Sequence, residues 1–162
     1  RVNPNEMIDL VLATNCGKAL SCNDMFFSDM SNLIAPTTGK NMGDGWETKR
    51  NRTPNNVDWV CIKLGHEGIV QKIIVDTKHF KGNYPDSCAI DACISTTDDD
   101  ILNEKAKWFS LLEKQKLSAD KEHHFDSNLI TKHKAITHIK LKIYPDGGIS
   151  RLRILGTIKP TE

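Results

Sequence analysis

The stretch DWVCIKLGHEGIVQKIIVDT, residues 58–77, decides the fold class. Val60, Ile62 and Leu64 alternate with Trp59, Cys61 and Lys63, and Gly65 closes the run. Ile73, Val75 and Thr77 then share one face, with Ile74, Asp76 and Lys78 on the other. A period of two sends alternate side chains to opposite sides of a pleated chain, so both runs read as half-buried β-strands. Gly65-His66-Glu67-Gly68 between them reads as a turn.

The same period recurs further along. Ile90, Ala92 and Ile94 alternate with Asp91, Cys93 and Ser95. Ile139, Leu141 and Ile143 oppose His138, Lys140 and Lys142, and Leu152, Ile154 and Ile158 oppose Arg151, Arg153 and Thr157. β-Branched residues crowd these runs, as suits pleated, half-buried surfaces. Turn chemistry separates them at 81–86 and at 144–148, where Pro145 presets φ, Asp146 accepts backbone hydrogen bonds and two glycines permit positive φ. That second turn reads as a hairpin. Helical signal is thin: 5–12 fits helix or strand, 99–108 fits a short helix with Asp98, Asp99 and Asp100 at its N-terminal end, and 28–33 fits one turn. The pattern predicts one all-β domain, an antiparallel sandwich with one or two short helices.

Composition narrows the function classes. The 162 residues carry 22 Lys+Arg against 21 Asp+Glu, a formal charge of +1. No long-range field of that kind gathers a polyanion, so nucleic acid and anionic membrane surfaces are not expected as main partners. No apolar run approaches the roughly 18 residues of a membrane span. The five cysteines are odd in number and lack paired Cys-x-x-Cys units, which predicts free thiols in a reducing compartment rather than a disulfide framework or zinc site. His123 and His124 point to opposite faces of a strand and are poorly placed to share an ion. No cofactor and no metal are expected.

Polar residues concentrate in three stretches beside strand ends. In 41–50, Gly43 and Gly45 flank Asp44, Trp46 offers a rigid anchor, and Glu47, Lys49 and Arg50 follow. This reads either as a small polar binding site or as a solvated loop whose tryptophan plugs the sandwich end. In 76–84, Asp76 ends an apolar strand and His79, Phe80 and Asn83 follow; the imidazole fits proton transfer near neutrality or a half-buried, hydrogen-bonded ring. In 144–153, Asp146 precedes Arg151 and Arg153, which project to one side of the following strand and so can clamp a carboxylate.

Taken together, MGDGWETKRNR (42–52), DWVCIKLG (58–65), VDTKHFKGNYPDSC (75–88) and THIKLKIYPDGGISRLRILG (137–156) resemble the allantoicase family, and specifically its second, C-terminal repeat. The connector 111–117, with His123 and Phe125 after it, also looks like the family. The resemblance implies a jelly-roll-like sandwich of the galactose-binding-domain type over 10–158, with 1–9 a linker from a preceding repeat and 159–162 a tail. It implies hydrolysis of allantoate to ureidoglycolate and urea in purine degradation. It also implies a homo-oligomer, partnership with another repeat, and an intracellular location, cytoplasmic or peroxisomal. Within the family-like blocks, Asp76, His79 and Glu47 are the expected catalytic groups. Asp44, Trp46, Arg50, Asn83, Asp146 and Arg151 are the expected substrate-binding groups, with Arg50 and Arg151 on the substrate carboxylate. The competing reading is a catalytically silent sandwich that serves as a ligand-binding or assembly module of a two-repeat enzyme; a carbohydrate-binding sandwich rests on fold analogy alone. Lys49 stands where many relatives carry arginine, and Asn55-Asn56-Val57 replaces the usual Pro-Gly-His lead into the following strand.

Overall fold

The computed structural model describes residues 5–160. Residues 1–4 of the expected linker and 161–162 of the expected tail lie outside the described residues. Ten strands follow in chain order: β1 Met7–Asp9, β2 Lys18–Cys22, β3 Trp46–Glu47, β4 Asp58–Asp76, β5 Ser87–Cys93, β6 Phe109–Lys116, β7 Glu122–Phe125, β8 Ile136–Tyr144, β9 Gly148–Ile149 and β10 Arg151–Ile158. One short helix, α1 Asp99–Leu102, interrupts them, and a 3-10 turn covers Met30–Ile34.

Long β4 belongs to both layers of the sandwich. Its first half lies between β2 and β8, and β8 continues through β5 to β6. Its second half lies between β10 and β7, with β1 outside β10. Every one of these pairings is antiparallel. Val60, Ile62, Ile73 and Val75 of β4 meet Ile90, Leu141, Ile143, Leu152 and Ile154 in one fully buried core. Each such aliphatic contributes roughly 1.5–3 kcal/mol of burial. The all-β, jelly-roll-like sandwich expected from the sequence is what forms.

Two local expectations are corrected. Residues 65–68 are not a turn but part of β4, with the ladder register shifting between Lys63 and Gly68. Gly65 is there for close approach: a Cβ would stand 1.8 Å from the Asn15 carbonyl oxygen, and the Gly65 N–H donates to the Leu10 carbonyl. The 144–148 turn does not close a hairpin, because β8 pairs with β4 and β5 whereas β10 pairs with β4 and β1. It carries the chain past β4 from one layer to the other. Met7–Asp9, in a stretch that fitted helix or strand, pairs with β10, and the Asp9 carboxylate accepts from the Val11 and Ile154 N–H groups.

At one end of the sandwich a small ribbon, β3 with β9, caps the end of β4; the Ser150 N–H donates to the Asp76 carbonyl at 2.7 Å. All nine expected site residues lie on this ribbon, on the loops around it, or at the adjoining ends of β4 and β10.

Candidate functional site

Three loops are laced together at the ribbon. Thr48 and Gly147 exchange two hydrogen bonds, the Thr48 N–H to the Gly147 carbonyl and the Gly147 N–H to Thr48 Oγ1, each at 3.0 Å. Gly148 N–H donates to the Asn83 carbonyl at 2.9 Å, and Asn51 N–H donates to Asp146 Oδ2 at 2.9 Å. Between them opens a cavity of about 390 Å³ lined by Phe27, Glu47, Thr48, Arg50, Gly82, Asn83, Tyr84, Asp146 and Gly147. Each of the three sequence stretches contributes to it.

The polar lining is specific in its chemistry. Asn83 Nδ2 donates to Glu47 Oε2 at 2.6 Å. That bond fixes the amide orientation, so Asn83 Oδ1 and the second Glu47 oxygen remain as acceptors. Arg50 is exposed at the rim and has no ion-pair partner among the described residues. An unpaired guanidinium next to a set of oxygen acceptors suits a ligand with a carboxylate at one end and N–H groups at the other.

The remaining expected residues gather behind this cavity or in the core. Arg151 is 2% exposed. Its Nε donates to the Thr37 carbonyl, one terminal nitrogen to the Asp44 and Ser150 carbonyls, and the other to Asp44 Oδ2 at 3.2 Å. Four of its five N–H groups are thus committed to protein oxygens. Arg153 points the same way, as its alternation with Leu152 requires, and donates to the Ala35 carbonyl. The two arginines grip the 35–44 loop. Asp44 also accepts the Lys40 N–H; that bond, followed by the Arg151 guanidinium, holds its carboxyl below the usual carboxylate range. His79 Nε2 lies 2.7 Å from the Gly39 carbonyl oxygen. A carbonyl only accepts, so this nitrogen carries the hydrogen and Nδ1 is left as the acceptor of the neutral ring. Asp76 is buried and accepts the Lys78 N–H. Trp46 is fully buried in the main core, its indole N–H on the Asp24 carbonyl at 2.8 Å. Phe80 stands between the groups, packed on the backbones of Gly45 and Gly148.

Glu47, Arg50, Asn83 and Asp146 therefore share one cavity, while Asp44, His79 and Arg151 meet on the 35–44 loop. Phe27, Thr48 and Tyr84 also line the cavity. Thr48 and Tyr84 lie inside the polar stretches and could be found there; Phe27 gave no signal except its place in a Phe-Phe pair. A second hollow of about 380 Å³ contains buried His138. Both its ring nitrogens are bonded, to Thr137 Oγ1 and to Asp98, and that bond with His138 lowers the Asp98 pKa. The pair is a satisfied structural one.

The two-layer antiparallel sandwich is an all-β, jelly-roll-like fold. The same fold occurs in the family 32 carbohydrate-binding module of C. perfringens NanJ in complex with galactose, at a TM-score of 0.61 and 14% identity over 93% of this chain. A family model described as an allantoicase repeat matches residues 8–159, and the chain belongs to the allantoicase family. The probable allantoicase of Stutzerimonas stutzeri is 51% identical over 159 residues, which is 97% of this chain and 47% of that protein. The crystal structure of Saccharomyces cerevisiae allantoicase superposes with a TM-score of 0.82 and 41% identity, covering 96% of this chain and 45% of the yeast chain. The chain thus spans about half the length of the relatives it matches.

Proposed function

We propose that this chain is the second repeat of an allantoicase and that the Glu47–Arg50–Asn83–Asp146 cavity binds allantoate for hydrolysis to ureidoglycolate and urea. The observation that carries the reading is Arg50, an unpaired guanidinium beside the Glu47–Asn83 acceptor pair. Allantoate has one carboxylate and two ureido groups on a single carbon. Arg50 takes the carboxylate in a two-pronged contact. Asn83 Oδ1, Glu47 and Asp146 accept ureido N–H groups.

Water adds to the central carbon as the bond to one ureido nitrogen breaks, and that nitrogen must gain a proton to leave as urea. Glu47 faces the cavity and takes the proton-transfer role; a positioned group of this kind contributes about 10²–10⁴-fold. Asp44, Asp76, His79 and Arg151 act from behind, as positioning residues that hold the 35–44 loop and the end of β4. The five free cysteines support an intracellular location.

Allantoate titration and urea release with Glu47→Gln and Arg50→Gln test the assignment. Arg50→Gln weakens allantoate binding by about 10–100-fold, the worth of a charged hydrogen-bonded contact. Glu47→Gln lowers turnover with little change in affinity. Binding that persists in the unsubstituted chain without urea release identifies a silent ligand-binding module. Absence of binding, or two variants that behave like the parent chain, overturns the cavity as the site.

A further inference from the structure

A third hollow, of about 500 Å³, lies beside the first cavity. Cys88, Ile90 and Ile143 point into the main core, so Ser87 and Tyr144, paired in register on β5 and β8, face outward. Lys114 of β6, Asp86, and Asn55 and Asn56 of the loop before β4 complete the polar lining. The two hollows share their walls. Tyr84 and Asp146 line the first, and Asp86 and Pro145 on the same two segments line the third.

Several polar atoms here are not consumed within the chain. Lys114 has no ion-pair partner among the described residues, and its ammonium stands 3.9 Å from the centre of the Tyr144 ring. The ring steadies the cation and leaves ammonium hydrogens to point away from it. Ser87 is 3% exposed, and its Oγ has no hydrogen-bond partner. A buried hydroxyl left unbonded is costly, and one in the wall of a polar hollow points to a ligand. Both hydrogens of the Asn56 amide are committed, to Asp58 Oδ1 at 3.0 Å and to the Pro145 carbonyl at 2.8 Å. Its Oδ1 is therefore the atom left to accept. Asp86 is taken by Lys116, whose bond holds its carboxyl below the usual carboxylate range; the Ser87 hydroxyl adds less, since it makes no hydrogen bond of proper geometry.

We propose that this hollow is a second binding site, for a small carboxylate that carries its own N–H or O–H donors. Lys114 and the Ser87 hydroxyl donate to the ligand carboxylate, and Asn56 Oδ1 accepts from the ligand's donor. A doubly charged anion fits less well, because it meets one cation with the Asp86 carboxylate close by. An apolar ligand leaves the Ser87 hydroxyl without a partner and desolvates Lys114. The inference stands apart from which ligand the first cavity holds.

The test titrates the isotope-labelled chain with N-carbamoylglycine, a carboxylate bearing one ureido group, and follows backbone amide shifts by NMR. The expected result is a saturable response of the amides at 55–57, 86–87 and 114, separate from any response at 47–50 and 82–84. Lys114→Gln weakens the first response at least about fivefold, the worth of a part-exposed charged contact, and leaves the second unchanged. Ser87→Ala weakens the first response too, yet melts no lower than the parent chain, because the hydroxyl makes no bond to lose. Arg50→Gln leaves the first response intact, so a first cavity that never responds registers separately as failure of the allantoate reading. No saturation at 55–57 and 86–87 up to about 10 mM, or saturation indifferent to both Lys114→Gln and Ser87→Ala, overturns the proposal. Acetate that saturates these amides as tightly overturns the ligand class, since it has the carboxylate alone.

Discussion

Arg151→Met is a decisive perturbation, because it separates a structural guanidinium from a ligand-binding one. Methionine keeps most of the aliphatic stem and removes every donor. The Thr37, Asp44 and Ser150 carbonyls then lose their partner, and the Asp44 carboxylate, a third exposed, loses its ion pair. Leaving three carbonyl acceptors without their charged donor costs about 3–5 kcal/mol in all, at ~1–3 kcal/mol for each group left unsatisfied, and the part-exposed ion pair adds little to that. At ~2–4 °C per kcal/mol for a domain of this length, the melting temperature falls on the order of 10 °C. Arg151→Lys recovers little, because an ammonium cannot reproduce the planar fork that spans Thr37, Asp44 and Ser150. Circular dichroism melting reads the loss, and limited proteolysis shows cutting within 35–44 as the loop loosens. A variant that melts within about 2 °C of the parent, less than the shift of one such hydrogen bond, while losing allantoate binding, would refute the reasoning: Arg151 would then be contacting the ligand.

Thiol chemistry and acid titration provide two further checks. Cys16 is exposed and reacts with a disulfide reagent in the native chain, whereas burial pushes Cys88 to about 12 and Cys93 to about 11, so these two react only after denaturation; fast native labelling of either overturns the core placement. For Asp44 the folded pKa lies below its ordinary 3.8. Its contribution to stability is therefore complete above that ordinary value and is lost as pH falls through the lower folded one. Asp44→Asn makes the acid side of the stability profile shallower, as read by denaturant melts between about pH 2 and 5; an unchanged slope contradicts the Lys40 and Arg151 contacts.

Alternation proved readable because each inner side chain reports its own burial: Val60, Ile62, Ile73, Val75, Leu141 and Leu152 are all at 0% exposure. Ile94 breaks the rule at 56%, since β5 ends at Cys93 and the periodicity runs one step past its strand. Glycine is ambiguous in sequence. Gly65 has the same letter whether it turns the chain or lets another backbone pass, and only the Asn15 carbonyl beside it decides. For the site, the shared direction of Arg151 and Arg153 follows from alternation, but their acceptors on the 35–44 loop lie 107 to 118 residues earlier in the chain. Local pattern contains no trace of them. Likewise Trp46 reads equally well as ligand anchor or core plug until its indole N–H is seen on Asp24.

The pairing of Met7 with Thr157 has a further consequence. Entry and exit of the chain sit side by side, because the first strand runs antiparallel along the last. A unit with adjoining ends can be strung in tandem, spliced into a host loop or circularly permuted without distorting its interior. Gene duplication acting on such a module therefore meets little geometric resistance.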